Sequence, residues 1–130
     1  MINEKLLEGD LVSLSPINED AESSNINPLR VIKASGNEVE VEGVGVLDKS
    51  LLFPIPLTTS ILYKNTYDKA LNSYHVYHTN GFIQYNITEY IAVKYYEDRN
   101  IFLYEGLPLK YVHQLHQLLN IISISKEIII

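Results

Sequence analysis

The chain of 130 residues has no cysteine, no tryptophan, one methionine and only two arginines, Arg30 and Arg99. Without cysteine there is no disulfide framework, no thiolate nucleophile and no Cys-ligated zinc, a usage that fits a reducing compartment. No window approaches the roughly 18 uninterrupted apolar residues of a membrane span, and Met1 to Glu8 lacks the basic and apolar regions of a secretory leader. A cytoplasmic protein with no membrane partner is therefore expected. A net charge of −6 with so few arginines gives a phosphate backbone little to bind, which disfavours unaided nucleic-acid binding. The chain also lacks a Gly-x-Ser-x-Gly elbow, a phosphate-cradling Gly-rich loop and a His-Glu-x-x-His run, so neither a catalytic role nor a cofactor is expected.

What the sequence does contain is one segment with an unambiguous helical period, Leu107 to Ile122. At 100° per residue Leu107, Tyr111, Leu115, Leu118, Leu119 and Ile122 share one arc, opposite Lys110, His113, Gln114, His116, Gln117 and Asn120. Pro108 suits the first turn of such a helix, because its missing N–H would have no intrahelical partner there. Nearly everything before it reads as short strands. Leu11 to Ser15 follows a Gly9-Asp10 turn, and the polar stretch from Pro16 to Pro28 reads as a surface loop. Leu29 to Ser35 and Glu38 to Gly43 flank Gly36-Asn37, with Val39 and Val41 on one face and Glu38, Glu40 and Glu42 on the other, the pattern of a hairpin with one wet face. Leu51 to Leu57 is β-like, but Pro54 and Pro56 restrict it to an edge strand or an extended crossing. Thr58 is a good N-cap for a short helix through Tyr63. Two hairpins complete the β content: Ser73–Thr79 with Phe82–Thr88 around Asn80-Gly81, and Glu89–Tyr96 with Ile101–Tyr104 around Glu97 to Asn100.

The expected architecture is α+β. Residues 1–57 form an SH3-like small β-barrel unit; residues 58–130 supply a short helix, an antiparallel β-meander and a C-terminal amphipathic helix covering it, within one compact domain.

Gly9-Asp-Leu-Val12, Pro54-Ile-Pro-Leu-Thr58 leading into Ile61-Leu-Tyr-Lys64, and Leu109-Lys-Tyr-Val-His-Gln-Leu115 together resemble a family of small uncharacterised proteins of Bacteroidetes chromosomes, prophages and phages. Its members carry a "PIPLT" pattern at mid-chain and a "YVHQL" run near the end. The resemblance implies a bacterial or phage-infected cytosolic setting and brings no activity, substrate or cofactor. The second Gln of the family pattern is His116 here, and its Thr-Gly ending is replaced by Ser123 to Ile130.

The four histidines come in pairs, His75/His78 and His113/His116. A His-only metal site needs three or four converging imidazoles, whereas i and i+3 on a strand point to opposite faces, so no metal is expected. The seven tyrosines between Tyr74 and Tyr104 suit cross-strand packing, with some left on an outer face where they suit protein contacts. Ile121 to Ile130 is β-prone and strongly apolar, and is expected either to join the core or to pair with a neighbour. The expected function is thus non-enzymatic: an accessory protein that binds another protein or forms a homo-oligomer. Its candidate interaction residues are His113, Gln114, His116 and Gln117 of the helix, and Ile128, Ile129 and Ile130. The alternatives are a nucleic-acid-associated accessory protein using the SH3-like unit and a His-based metal-dependent enzyme.

Overall fold

The computed structural model describes residues 2–67, 76–79, 81–122 and 126–130. The chain divides into two units: residues 1–56, 111–128 and 130 in the first, and residues 57–110 and 129 in the second.

The first unit is a five-stranded antiparallel sheet built from β1 (Leu11–Ser13), β2 (Leu29–Ser35), β3 (Glu38–Val41), β4 (Gly45–Asp48) and β5 (Phe53–Pro54), in the order β4-β3-β2-β1-β5. Gly36 turns β2 into β3 with φ +61, and the expected alternation holds: Val39 and Val41 are buried while Glu38 and Glu40 face out. Beneath the sheet, Ile2, Leu6, Val12, Val31, Val39, Val41 and Leu52 form one core cluster. The ladder shifts register between Val31 and Lys33, a bulge that bends β2 and leaves Ile32 exposed. A single 3-10 turn at Lys49–Leu51, capped by Asp48 Oδ1 accepting from Ser50 N–H at 2.9 Å, leads into β5. Pro54 sits in β5 at the sheet edge, where its missing donor costs no ladder bond. Among the described residues the sheet is open: no closed barrel is formed, which corrects the expectation of a barrel to that of an open sheet.

The second unit begins with α1 (Thr59–Lys64), whose start is fixed as expected by Thr58 Oγ1 accepting from Ile61 N–H at 3.2 Å. A five-stranded antiparallel meander follows in simple sequence order: β6 (Val76–Thr79), β7 (Phe82–Asn86), β8 (Ala92–Tyr96), β9 (Ile101–Tyr104) and β10 (Leu107–Leu109). Residues Ser73 to His75 of the expected first strand, and Asn80 of the Asn-Gly turn, lie outside the described residues.

The last element departs from expectation in three ways. Leu107–Leu109 is not the first turn of a helix but β10, pairing with β9 in the register Leu107↔Tyr104 and Leu109↔Phe102. Glu105 and Gly106, at φ +46 and +83, make the two-residue turn that a tight hairpin demands, and Pro108 is tolerated because β10 is an edge strand. The helix, α2 (Val112–Ile121), starts only after Tyr111, whose N–H is capped by Gln114 Oε1 at 3.0 Å. Its buried residues are Val112, His113, Leu115 and Leu119, whereas Leu118 is only partly buried and Ile121 and Ile122 are exposed. Finally, α2 belongs to the first unit and packs on β1, correcting the expectation that it covers the meander.

Candidate functional site

Gly9 and Asp10 make the turn that joins the N-terminal segment to β1. Asp10 N–H donates to Leu7 O at 3.0 Å, while Leu7 N–H donates back to Asp10 Oδ2 at 2.8 Å. Gly9 N–H donates to Val31 O and Val31 N–H to Asp10 O, both at 2.8 Å, which fixes the turn against β2. The Asp10 carboxylate is thereby placed in a fully buried position. A buried carboxylate survives only if its lone pairs are used. Besides Leu7 N–H, it accepts from His116 Nδ1 at 2.6 Å and from Gln117 Nε2 at 2.8 Å.

The neighbouring turn of α2 repeats the arrangement one step toward the N-terminus. Gln114 Nε2 donates to Glu4 Oε1 at 2.6 Å, and His113 Nε2 lies 3.3 Å from Glu4 Oε2. Burial works against the Glu4 carboxylate, yet its own backbone N–H, Gln114 and His113 together hold it below the ordinary carboxylate range. The two histidines differ. His113 is fully buried, stacked on the Tyr111 ring with centroids 5.7 Å apart, and neither ring nitrogen has hydrogen-bond geometry to a partner. His116 is held at Nδ1 by a carboxylate that can only accept, so in the neutral ring Nδ1 carries the hydrogen and Nε2 keeps its lone pair.

Gly9 is required twice here. It sits at φ +91, and a Cβ built on it would lie 2.9 Å from both Cε1 and Nε2 of His116. The imidazole therefore fills the space that any other residue's side chain would need. Beside it opens a cleft of about 320 Å³ lined among others by Gly9, Leu11, Arg30, His116, Lys126 and Glu127. Arg30 Nη2 donates to Glu127 Oε1 at 2.7 Å, and Arg30 Nε lies 3.9 Å from Glu42 Oε2. Burial pushes the Lys126 ammonium pKa down.

The seven residues expected at an interaction surface are placed as follows. His113, Gln114, His116 and Gln117 all turn inward to Glu4, Lys5 and Asp10, Gln117 also donating to Lys5 O at 2.9 Å. Ile128 is buried in the first unit, and Ile130 is partly exposed. Ile129 belongs to the second unit, where the Asn65 amide accepts from its N–H at 2.7 Å and donates to its C=O at 2.6 Å; its side chain is exposed. Ser123 to Ser125, which carry the expected alternation after the helix, lie outside the described residues. The carboxylates that organise the cluster, Glu4 and Asp10, escape a reading of the sequence. The only signal is the Gly-Asp dipeptide, which reads simply as a turn.

Of the other histidine pair, His78 is exposed on β6 and His75 lies outside the described residues. Among the described residues no three His, Cys, Asp or Glu side chains converge on a point where a metal ion would sit. Among them, too, no helix is long and apolar enough to cross a membrane. No protein-family model, no curated protein and no solved structure matches the chain.

Proposed function

We propose that this chain is a non-enzymatic binding protein that docks on another protein by adding a strand to the free edge of β4. The observation that carries the reading is the β4 edge itself. β4 ends the strand order, so one row of its backbone donors and acceptors faces away from β3. Leu47 anchors the strand on the core from one face, while on the other Val46 is 62 % exposed. Cross-strand register puts Glu40 opposite Val46 and Glu38 opposite Asp48, so an apolar residue stands in an acidic row. A partner strand with basic residues around an apolar one complements that face, with main-chain bonds supplying affinity and side chains supplying choice.

The inward-turned residues of α2 support the same reading from the other side. His113, Gln114, His116 and Gln117 serve to hold the helix on the N-terminal segment, which leaves the sheet edge as the better candidate surface. The strand order β4-β3-β2-β1-β5, with its 3-10 turn just before β5, supports an SH3-like reading of the first unit, an architecture that serves many functions. The resemblance of the Pro54–Thr58 and Tyr111–Leu115 runs to phage and Bacteroidetes proteins supports an accessory role in the cytoplasm of a bacterial or phage-infected cell.

The test is cross-linking and affinity enrichment with the full chain, comparing wild type with Val46→Lys. A partner, or a second copy, that is retained by wild type and lost by V46K at an unchanged melting midpoint supports the reading. Equal retention by both proteins refutes it.

A further inference from the structure

We propose that the cleft between the Asp10–His116 pair and residues 126–128 is a binding site for a small carboxylate, which replaces Glu127 on Arg30. The proposal concerns a different surface from the β4 edge and stands or falls separately from it.

Three observations converge. The first is charge: Arg30 and Lys126 line this cleft with Glu127 the one carboxylate in the lining, while the carboxylates of Glu42, 3.9 Å from Arg30 Nε, and Asp10, on His116 Nδ1, stand behind those residues. The second is that a carboxylate already sits there. Glu127 Oε1 is 2.7 Å from Arg30 Nη2, showing that the guanidinium can be reached by such a group in this setting. The Glu127 side chain is 73 % exposed, and an ion pair so open to water is weak enough to exchange for an incoming anion. A guanidinium fork favours carboxylates because it can offer two parallel donors.

The third is the fixed imidazole. Asp10 holds His116 at Nδ1 and Gly9 leaves room for the ring, so the ring's orientation is set before any ligand arrives. Neutral, it offers a lone pair at Nε2 to a hydroxyl or amine; protonated, it offers a donor to a second carboxylate. Leu11 and Ile128 add an apolar wall suited to a short aliphatic stem. The volume, about 320 Å³, is at the small end for ligand sites and suits a compact acid rather than a cofactor.

Such a carboxylate belongs either to a free organic acid or to an acidic side chain of a peptide, and the test separates these sources. The full chain is titrated with succinate, with acetate, and with a short capped peptide containing one Glu, following the Arg30 Nε–H and His116 ring resonances, with sodium chloride as the ionic-strength control. The expected result is saturable shifts at both residues, unmatched by chloride, for at least one carboxylate. Binding should tighten several-fold in Glu127→Gln, which removes the internal competitor, and vanish in Arg30→Met at an unchanged melting midpoint. Saturation by succinate or acetate alone assigns a free acid, and by the peptide alone an acidic chain; either supports the site. Shifts that chloride reproduces, no saturation in wild type or E127Q, or equal affinity in E127Q and wild type would overturn it.

Discussion

Replacing Asp10 with Ala removes a fully buried carboxylate that accepts three hydrogen bonds, at 2.8 Å from Leu7 N–H, 2.6 Å from His116 Nδ1 and 2.8 Å from Gln117 Nε2. Each bond to a charged acceptor is worth about 1.5–3 kcal/mol when made, but the three do not sum. His116 and Gln117 lie partly exposed, so water recovers some of their bonding once the carboxylate is gone, whereas the Leu7 amide loses its partner inside the turn. The expected loss is about 2–4 kcal/mol, more than one such bond and less than the sum of three. Against a typical domain stability of about 5–15 kcal/mol this loosens α2 before anything else in the first unit. Because the chain has no tryptophan, the readout is far-UV circular dichroism in a urea titration, with amide exchange in Val112–Ile121 reporting on the helix itself. A double-mutant cycle with His116→Ala should return a coupling of at least about 1 kcal/mol. Asp10→Ala within about 0.5 kcal/mol of wild type, the range of an ordinary surface change, would refute the claim that this carboxylate holds the helix.

Three further outcomes follow from the same cluster. Gly9→Ala should destabilise by about 1–3 kcal/mol from backbone strain alone at φ +91, and part of any excess over that should disappear when His116 is also Ala, since the ring 2.9 Å away is what the new Cβ meets; additive losses in urea titrations would exclude the steric part. His113→Leu should cost about 1–2 kcal/mol, less than Asp10→Ala, because it removes the stacking on Tyr111 and the support for the Glu4 carboxylate 3.3 Å away but no hydrogen bond of good geometry; a loss as large as that of Asp10→Ala would mean the imidazole is fully bonded after all. Glu4 has a folded-state pKa below its unfolded value, so its contribution is present above the ordinary glutamate pKa of about 4.3 and is lost as pH falls through the lower folded value. Glu4→Gln should flatten that acid limb of the stability profile, and an unaltered limb would show that other groups set it.

Much of the sheet was legible because local chemistry and burial agree there. Glu38 to Glu42 alternates with a period of two, Gly36 supplies the left-handed turn, and Thr58 caps the helix it precedes. The β10–α2 boundary was not legible, for a physical reason. A proline in a first helical turn and one in an edge strand both leave no backbone bond unmade, so Pro108 fits either, and Leu107 before it falls on the apolar arc of the helix by coincidence. Glu105-Gly106 is a tight turn without the Asn that advertises one. The candidate site was hidden more deeply. Placing His113 and His116 on a wet helix face follows from their polarity, but Asp10, 106 residues from His116, and Glu4 give both rings carboxylate neighbours inside the first unit. Only a tertiary contact of that kind turns a polar helix face inward, and no local pattern encodes it.

Binding through the outer edge of β4, with α2 locked on the N-terminal segment, is tested most directly by amide hydrogen exchange on the enriched complex and on the free chain. The prediction is that outward amides of Gly45–Asp48 exchange quickly in the free chain and gain protection in the complex, while Val112–Ile121 is equally protected in both. Protection gained along α2 with none at β4 would contradict it and return the helix to the role of docking surface.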